Sequence, residues 1–198
     1  MYAGNFSENF LHGKGKVMNM EKCYYYSSHT GLRKQGFSEQ DNLNFFSKHI
    51  NEVKGYVYIG DFVNGKHEGK GKLDQGNLIK YDGDWQSGMR HGYGIDELSN
   101  VDKFEGNFKN DKRNGQGKHV KGATIYEGEW LDDNYHAFGK LTCQNGSFYE
   151  GGWLNGKCDG YGEESDPNWL YKGEFKEGKF HGKGSQEILN KGQVLSCY

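Results

Sequence analysis

The chain has 198 residues, a formal net charge of −2 and 33% hydrophobic residues, against a usual ~45–50%, so a thick layered core is not expected. Glycine is abundant at 32 and proline scarce at 1, which fits neither a collagen helix nor a proline-rich linker. The 15% aromatic content argues against disorder, because disordered chains lack large residues to bury. The balance of charge also gives no overall attraction to nucleic acid or anionic lipid.

The N-terminal stretch MYAGNFSENFLHGKGK lacks the apolar run of a secretory leader. Nothing downstream approaches the ~18 apolar residues of a membrane helix, so a cytoplasmic protein is expected. Within that stretch, YAGNFSENFLHGKG from Tyr2 is the first member of a series. YIGDFVNGKHEGKG follows from Tyr58, YDGDWQSGMRHGYG from Tyr81 and FEGNFKNDKRNGQG from Phe104. YEGEWLDDNYHAFG starts at Tyr126, YEGGWLNGKCDGYG at Tyr149 and YKGEFKEGKFHGKG at Tyr171. From Tyr58 onward the steps are 23, 23, 22, 23 and 22 residues. A fixed period of this length is the signature of a repeat array.

One step of 23 from Tyr2 reaches Tyr25, where YYSSHTGLRKQGFS reads as a degenerate unit. The insertion that follows, residues 39–54, places Leu43, Phe46, Ile50 and Val53 at near-helical spacing. Ser38 with Asp41 three residues later suits an N-cap, so a short amphipathic helix is expected at 40–53. Its apolar face either packs on the protein's own sheet or docks a partner. At the far end, one step of 23 from Tyr171 reaches Val194, so residues 194–198 read as a capping half-unit.

Each unit alternates with period two. Tyr81, Gly83 and Trp85 share one strand face and Asp82 and Asp84 the other. QSGMRH is a turn, and Gly92 and Gly94 belong to a return strand. The unit is therefore a β-hairpin. The expected fold is all-β: an elongated, twisted, single-layer antiparallel sheet of tandem hairpins, one array over residues 1–198. Gly92 and Gly94 are expected to leave a bare floor on which neighbouring rings lie. Ala137 departs from glycine at the first of these return-strand positions, and a small local displacement is expected there.

Little in the sequence suggests chemistry. Cys23, Cys143, Cys158 and Cys197 form no C-x-x-C pair, so free thiols are expected rather than a zinc or redox motif. Asn5-Phe6-Ser7 and Asn145-Gly146-Ser147 match the glycosylation triplet by chance if there is no secretory signal. GKHEGKGK at 65–72 lacks the G-x-x-x-x-G-K-[ST] of a phosphate loop. His12, His91, His136 and His181 share one turn position. Repeat-equivalent positions lie roughly 10 Å apart, whereas zinc ligands sit ~2.0–2.3 Å from one ion. No metal, cofactor or catalytic residue is expected.

The repeated form resembles the MORN (membrane occupation and recognition nexus) repeat. The resemblance spans residues 2–17 and 58–187. Departures fall mostly at the turn, where Asn9, Asp111 and Asp133 replace glycine and Glu68, Asn114 and Asp159 replace histidine. It implies a scaffold or binding module rather than an enzyme. Some MORN arrays precede a methyltransferase or lipid kinase domain, but here the repeats fill the sequence. The resemblance also extends to proteins of radial spokes and parasite cytoskeletons, which implies a cytoskeletal or ciliary setting.

Three partner readings follow. A single-layer sheet cannot bury both faces, so the aromatic stripe is expected to form an exposed groove for a partner helix or extended peptide. Its residues would be Tyr58, Phe62, Tyr81, Trp85, Phe104, Phe108, Tyr126 and Trp130, continued by Tyr149, Trp153, Tyr171 and Phe175. The alternative is a phospholipid-binding surface made by Lys14, Lys16, Lys70, Lys72, Lys118, Lys140 and Lys183, which interleaved acids would offset. The third is self-association through open sheet ends.

Overall fold

The computed structural model describes residues 2–7, 10–20, 55–76 and 80–189. The degenerate unit from Tyr25, the helix expected at 40–53 and the half-unit 194–198 lie outside the described residues. Fourteen strands are present among them. They are β1 (Tyr2–Ser7), β2 (Phe10–Met20), β3 (Gly55–Val63), β4 (Lys66–Asp74), β5 (Lys80–Gln86), β6 (Met89–Ser99) and β7 (Asp102–Lys109). Then come β8 (Lys112–Lys121), β9 (Thr124–Leu131), β10 (Asn134–Thr142), β11 (Phe148–Leu154), β12 (Lys157–Asp166), β13 (Trp169–Lys176) and β14 (Lys179–Ile188). The fold is all-β, one open antiparallel sheet whose strand order is the chain order. The chain divides into two compact units, Met1–Lys103 with Phe108–Asp111, and Phe104–Asn107 with Lys112–Tyr198.

Every repeat from Tyr58 on is a hairpin closed by two residues, both left-handed. Ser87 and Gly88 have φ of 53° and 87°, Asp132 and Asp133 of 47° and 68°. Two positive-φ residues match the right-handed twist of the strands they join. Asp and Asn tolerate this conformation better than other side chains, which is why Asp111 and Asp133 can stand where other units have glycine. The second turn residue also ties its hairpin to the one before. Gly88 N–H donates to His67 O at 2.9 Å in the first unit, and Gly156 N–H to Tyr135 O at 2.9 Å in the second.

The core is one face of the sheet. In each hairpin two glycines stand opposite each other, as Gly83 with Gly94 and Gly128 with Gly139. A Cβ added to either member would run into the first ring of the same repeat: Tyr81 at Gly83 and Gly94, Tyr126 at Gly128 and Gly139. The ring lies flat over bare backbone. Covering a ring removes ~150–250 Å² from water, worth about 4–6 kcal/mol at ~25 cal/mol per Å². Two interior glycines cost ~1–2 kcal/mol, so the arrangement is strongly favourable.

The expectation for Gly92 needs correction. Its added Cβ would meet the Asp84 side chain, not a ring, and its φ is +73°. The pairing of β5 with β6 shifts between Gly83 and Trp85, so Gly92 absorbs a bulge while Gly83 and Gly94 make the seat. Ala137 obeys the same constraint. It takes φ 50° rather than a displacement, because the bulge requires a left-handed residue whatever its side chain.

Candidate functional site

The twelve aromatic residues expected to contact a partner do form one continuous ladder within each unit, but they are not exposed. None is more than 7% accessible, and Tyr58, Phe104 and Tyr126 are completely buried. Tyr58, Tyr81, Tyr126 and Tyr149 are each met edge-on by the second ring of their own hairpin and by that of the next. Tyr81 meets Trp85 at 5.1 Å and Phe108 at 5.3 Å, and Tyr126 meets Trp130 at 5.2 Å and Trp153 at 5.5 Å. Interplanar angles of 85–89° place positive ring edges against negative ring faces.

Polar atoms of the ladder are paired inward. Tyr81 Oη donates to Asp84 O at 2.9 Å, and Tyr126 and Tyr149 make the equivalent bonds to Glu129 O and Gly152 O. Trp85 Nε1 donates to Gly71 O and Trp153 Nε1 to Gly139 O, both at 3.0 Å. The indoles thereby grip the glycine strand of the preceding hairpin. Burial pushes the phenols of Tyr58, Tyr81, Tyr126 and Tyr149 well above their ordinary range.

What covers the ladder is a row that sequence reasoning missed. The residue that follows each turn by two positions pairs across the hairpin with the second ring, as His67 with Phe62, Arg90 with Trp85 and Tyr135 with Trp130. These residues cap the first rings. His67 stacks on Tyr58 at 3.6 Å and 7°, Tyr135 on Tyr126 at 3.7 Å and 11°, and Phe180 on Tyr171 at 3.9 Å and 13°. Arg90 and Arg113 lay guanidinium groups over rings instead. Cys158 is the small member, and burial pushes its thiol up to about 11. Burial also holds the His67 imidazole below its usual value. Pairing the strands outward from a two-residue turn would have exposed this row.

A second row flanks the first rings. Leu73 pairs with Tyr58, Asp96 with Tyr81, Leu141 with Tyr126 and Glu164 with Tyr149. Asp96 is 2% exposed and receives Arg90 Nη1 at 2.6 Å across the Tyr81 ring. In the first unit, caps and flank enclose a cleft of ≈ 280 Å³ lined by His67, Leu73, Gln75, Trp85, Arg90 and Asp111.

The family model described as MORN repeat matches residues 2–17, 58–77, 81–95, 104–122, 126–148, 149–170 and 171–187. The chain belongs to the MORN repeat family. No curated protein matches it. MORN repeats are in general protein- or membrane-interaction modules of the scaffold type.

The opposite face of the MORN hairpins is built from charges. Lys70 pairs with Asp84 and Lys72 with Asp82 at 2.6 Å, Lys118 with Glu127 at 2.7 Å and Lys140 with Glu150 at 2.8 Å. Tyr93, Phe138 and Tyr161 stand among these pairs at 48, 59 and 69% exposure. The motif histidines are strand residues, not turn residues as expected: His91 lies in β6, after Met89 and Arg90, and His136 in β10, after Asn134 and Tyr135. Their Nδ1 atoms are buried without a hydrogen-bond partner. Among the described residues no group of His, Cys, Asp or Glu is placed to hold a metal ion, and no helix is long and apolar enough to cross a membrane.

Proposed function

We propose that this MORN protein is a non-enzymatic scaffold whose capped ring face docks a helix or extended segment of a protein partner. The observation that carries this reading is the ring-face cleft of the first unit, lined by His67, Leu73, Trp85 and Arg90. An apolar floor with a few placed polar groups is the usual make-up of a peptide groove. The ladder rings form the floor, and the caps and flanking side chains make direct contact. The radial-spoke and cytoskeletal relatives that the resemblance implies give the expected setting, a cytoplasmic assembly of that kind. The Lys70, Lys72, Lys118 and Lys140 ion pairs weigh against a phospholipid-headgroup stripe. Affinity purification from native cells tests the reading with three baits: the natural chain, a His67→Ala/Gln75→Ala variant, and a Tyr161→Ala variant of the other face. A partner lost only with the first variant is expected; one lost only with Tyr161→Ala would overturn the assignment. β14, exposed along its whole length, offers an edge for self-association, which light scattering over a concentration series would reveal as a rising mass.

A further inference from the structure

Arg90 and Arg113 occupy the same cap position in successive hairpins, yet only one is neutralised. Arg90 lies 5.0 Å from the Phe108 ring, and its Nη1 is 2.6 Å from Asp96 Oδ2. Its Nε is 3.3 Å from Asp111 Oδ1, and Nη2 donates to Asp111 O at 2.7 Å. Two acids thus satisfy that guanidinium within its own unit.

Arg113 sits 4.9 Å from the Phe104 ring and 5.1 Å from the Trp130 ring. The place that Asp96 fills in the preceding hairpin is held by His119, opposite Tyr126. The turn acid Asp133 accepts the Arg113 backbone N–H at 3.0 Å and leaves the guanidinium alone. Among the described residues Arg113 has no ion pair, and no side-chain hydrogen bond of its guanidinium is formed. The result is a half-buried cation held over two rings on the ring face, with a planar fork of donors and no acceptor.

We propose that Arg113 is the receptor for a carboxylate, the Asp or Glu side chain of a segment that docks on the ring face of the second unit. The inference rests on the ring-face reading given above. A planar carboxylate matches the guanidinium fork with two parallel bonds, supplying from the partner what Asp96 supplies to Arg90. A phosphate fits less well, because Asp133, whose carboxylate sits on the Arg113 backbone N–H, opposes a doubly charged group more than a singly charged one.

Random sixteen-residue peptides displayed on phage, selected against the full chain, test this directly. Chemical-shift changes at Tyr135 and Phe180 mark ring-face binders; changes at Phe138 and Tyr161 mark the other face. Ring-face binders enriched in Asp and Glu are expected, with Arg113→Gln weakening them about tenfold or more and Arg113→Lys losing most of the affinity. Selection against Arg113→Glu is expected to favour Arg- and Lys-bearing peptides, a readout independent of lost packing. Ring-face binders without excess acid, or indifferent to Arg113→Gln, would overturn the carboxylate assignment and leave the docking face intact. Binders confined to the other face, or none at all, would overturn both.

Discussion

At Gly94 the absence of a side chain matters more than any side chain nearby, because the Tyr81 ring occupies the place a Cβ would take. At Gly92, two residues earlier, the need is a left-handed backbone. The period-two pattern treated the two as equivalent. Ala137 separates the roles, since it stands at the second kind of site with φ 50°. Left-handed alanine costs ~1–2 kcal/mol, against ~0.5–1 kcal/mol of added unfolded-state entropy for glycine. Ala137→Gly is therefore expected to stabilise the chain by about 0.5–1 kcal/mol in denaturant melts. Phe104 is the other informative exception. It fills the first-ring site without the hydroxyl that Tyr81, Tyr126 and Tyr149 aim at a carbonyl three residues on. Phe104→Tyr places that hydroxyl toward Asn107 O and is expected to add ~0.5–1.5 kcal/mol. A loss of stability would show that the site is too tight for the extra oxygen.

At the level of the hairpin, much of the design is readable from letters alone. Alternation of Tyr81, Gly83 and Trp85 against Asp82 and Asp84 predicts both the strand and its inner face, and the two-residue turn follows from its Gly, Asn and Asp residues. The bulge is not readable in this way, because glycine serves two purposes and carries no mark of which. The caps are not readable either: His67, Arg90, Tyr135 and Cys158 share a place in the hairpin but no chemistry. The ion pairs of the two faces should differ sharply in worth. Asp96→Ala removes the buried acid from Arg90 Nη1 and leaves only Asp111 on the guanidinium, and is expected to cost ~3 kcal/mol. Glu163→Ala removes the half-exposed partner of the exposed Lys172, 2.9 Å away, and should cost far less. Equal losses in paired melts would contradict the distinction drawn between the faces.

Across the molecule, burial of one tyrosine after another sets the response to alkali. Tyr58, Tyr81, Tyr126 and Tyr149 are all held neutral by burial. For an acid whose folded value is raised, the fold's contribution is complete below the ordinary phenol value of ~10 and is lost as pH climbs beyond it. Phenolate absorbance is therefore expected to rise steeply together with loss of aromatic circular dichroism above pH ~10. A gradual titration with the dichroism retained would show the phenols to be solvated. The same burial explains why the aromatic stripe, prominent in the sequence, is a floor rather than an exposed surface: each hairpin supplies its own cap.

The seating of rings on bare backbone is most directly tested by proton magnetic resonance of the Gly94 and Gly139 Hα atoms. They are expected to be shifted strongly upfield by the Tyr81 and Tyr126 rings and to show cross-relaxation to those rings, while Gly92 Hα shows neither. Unshifted Gly94 and Gly139 protons, or ring contacts at Gly92 in their stead, would contradict it.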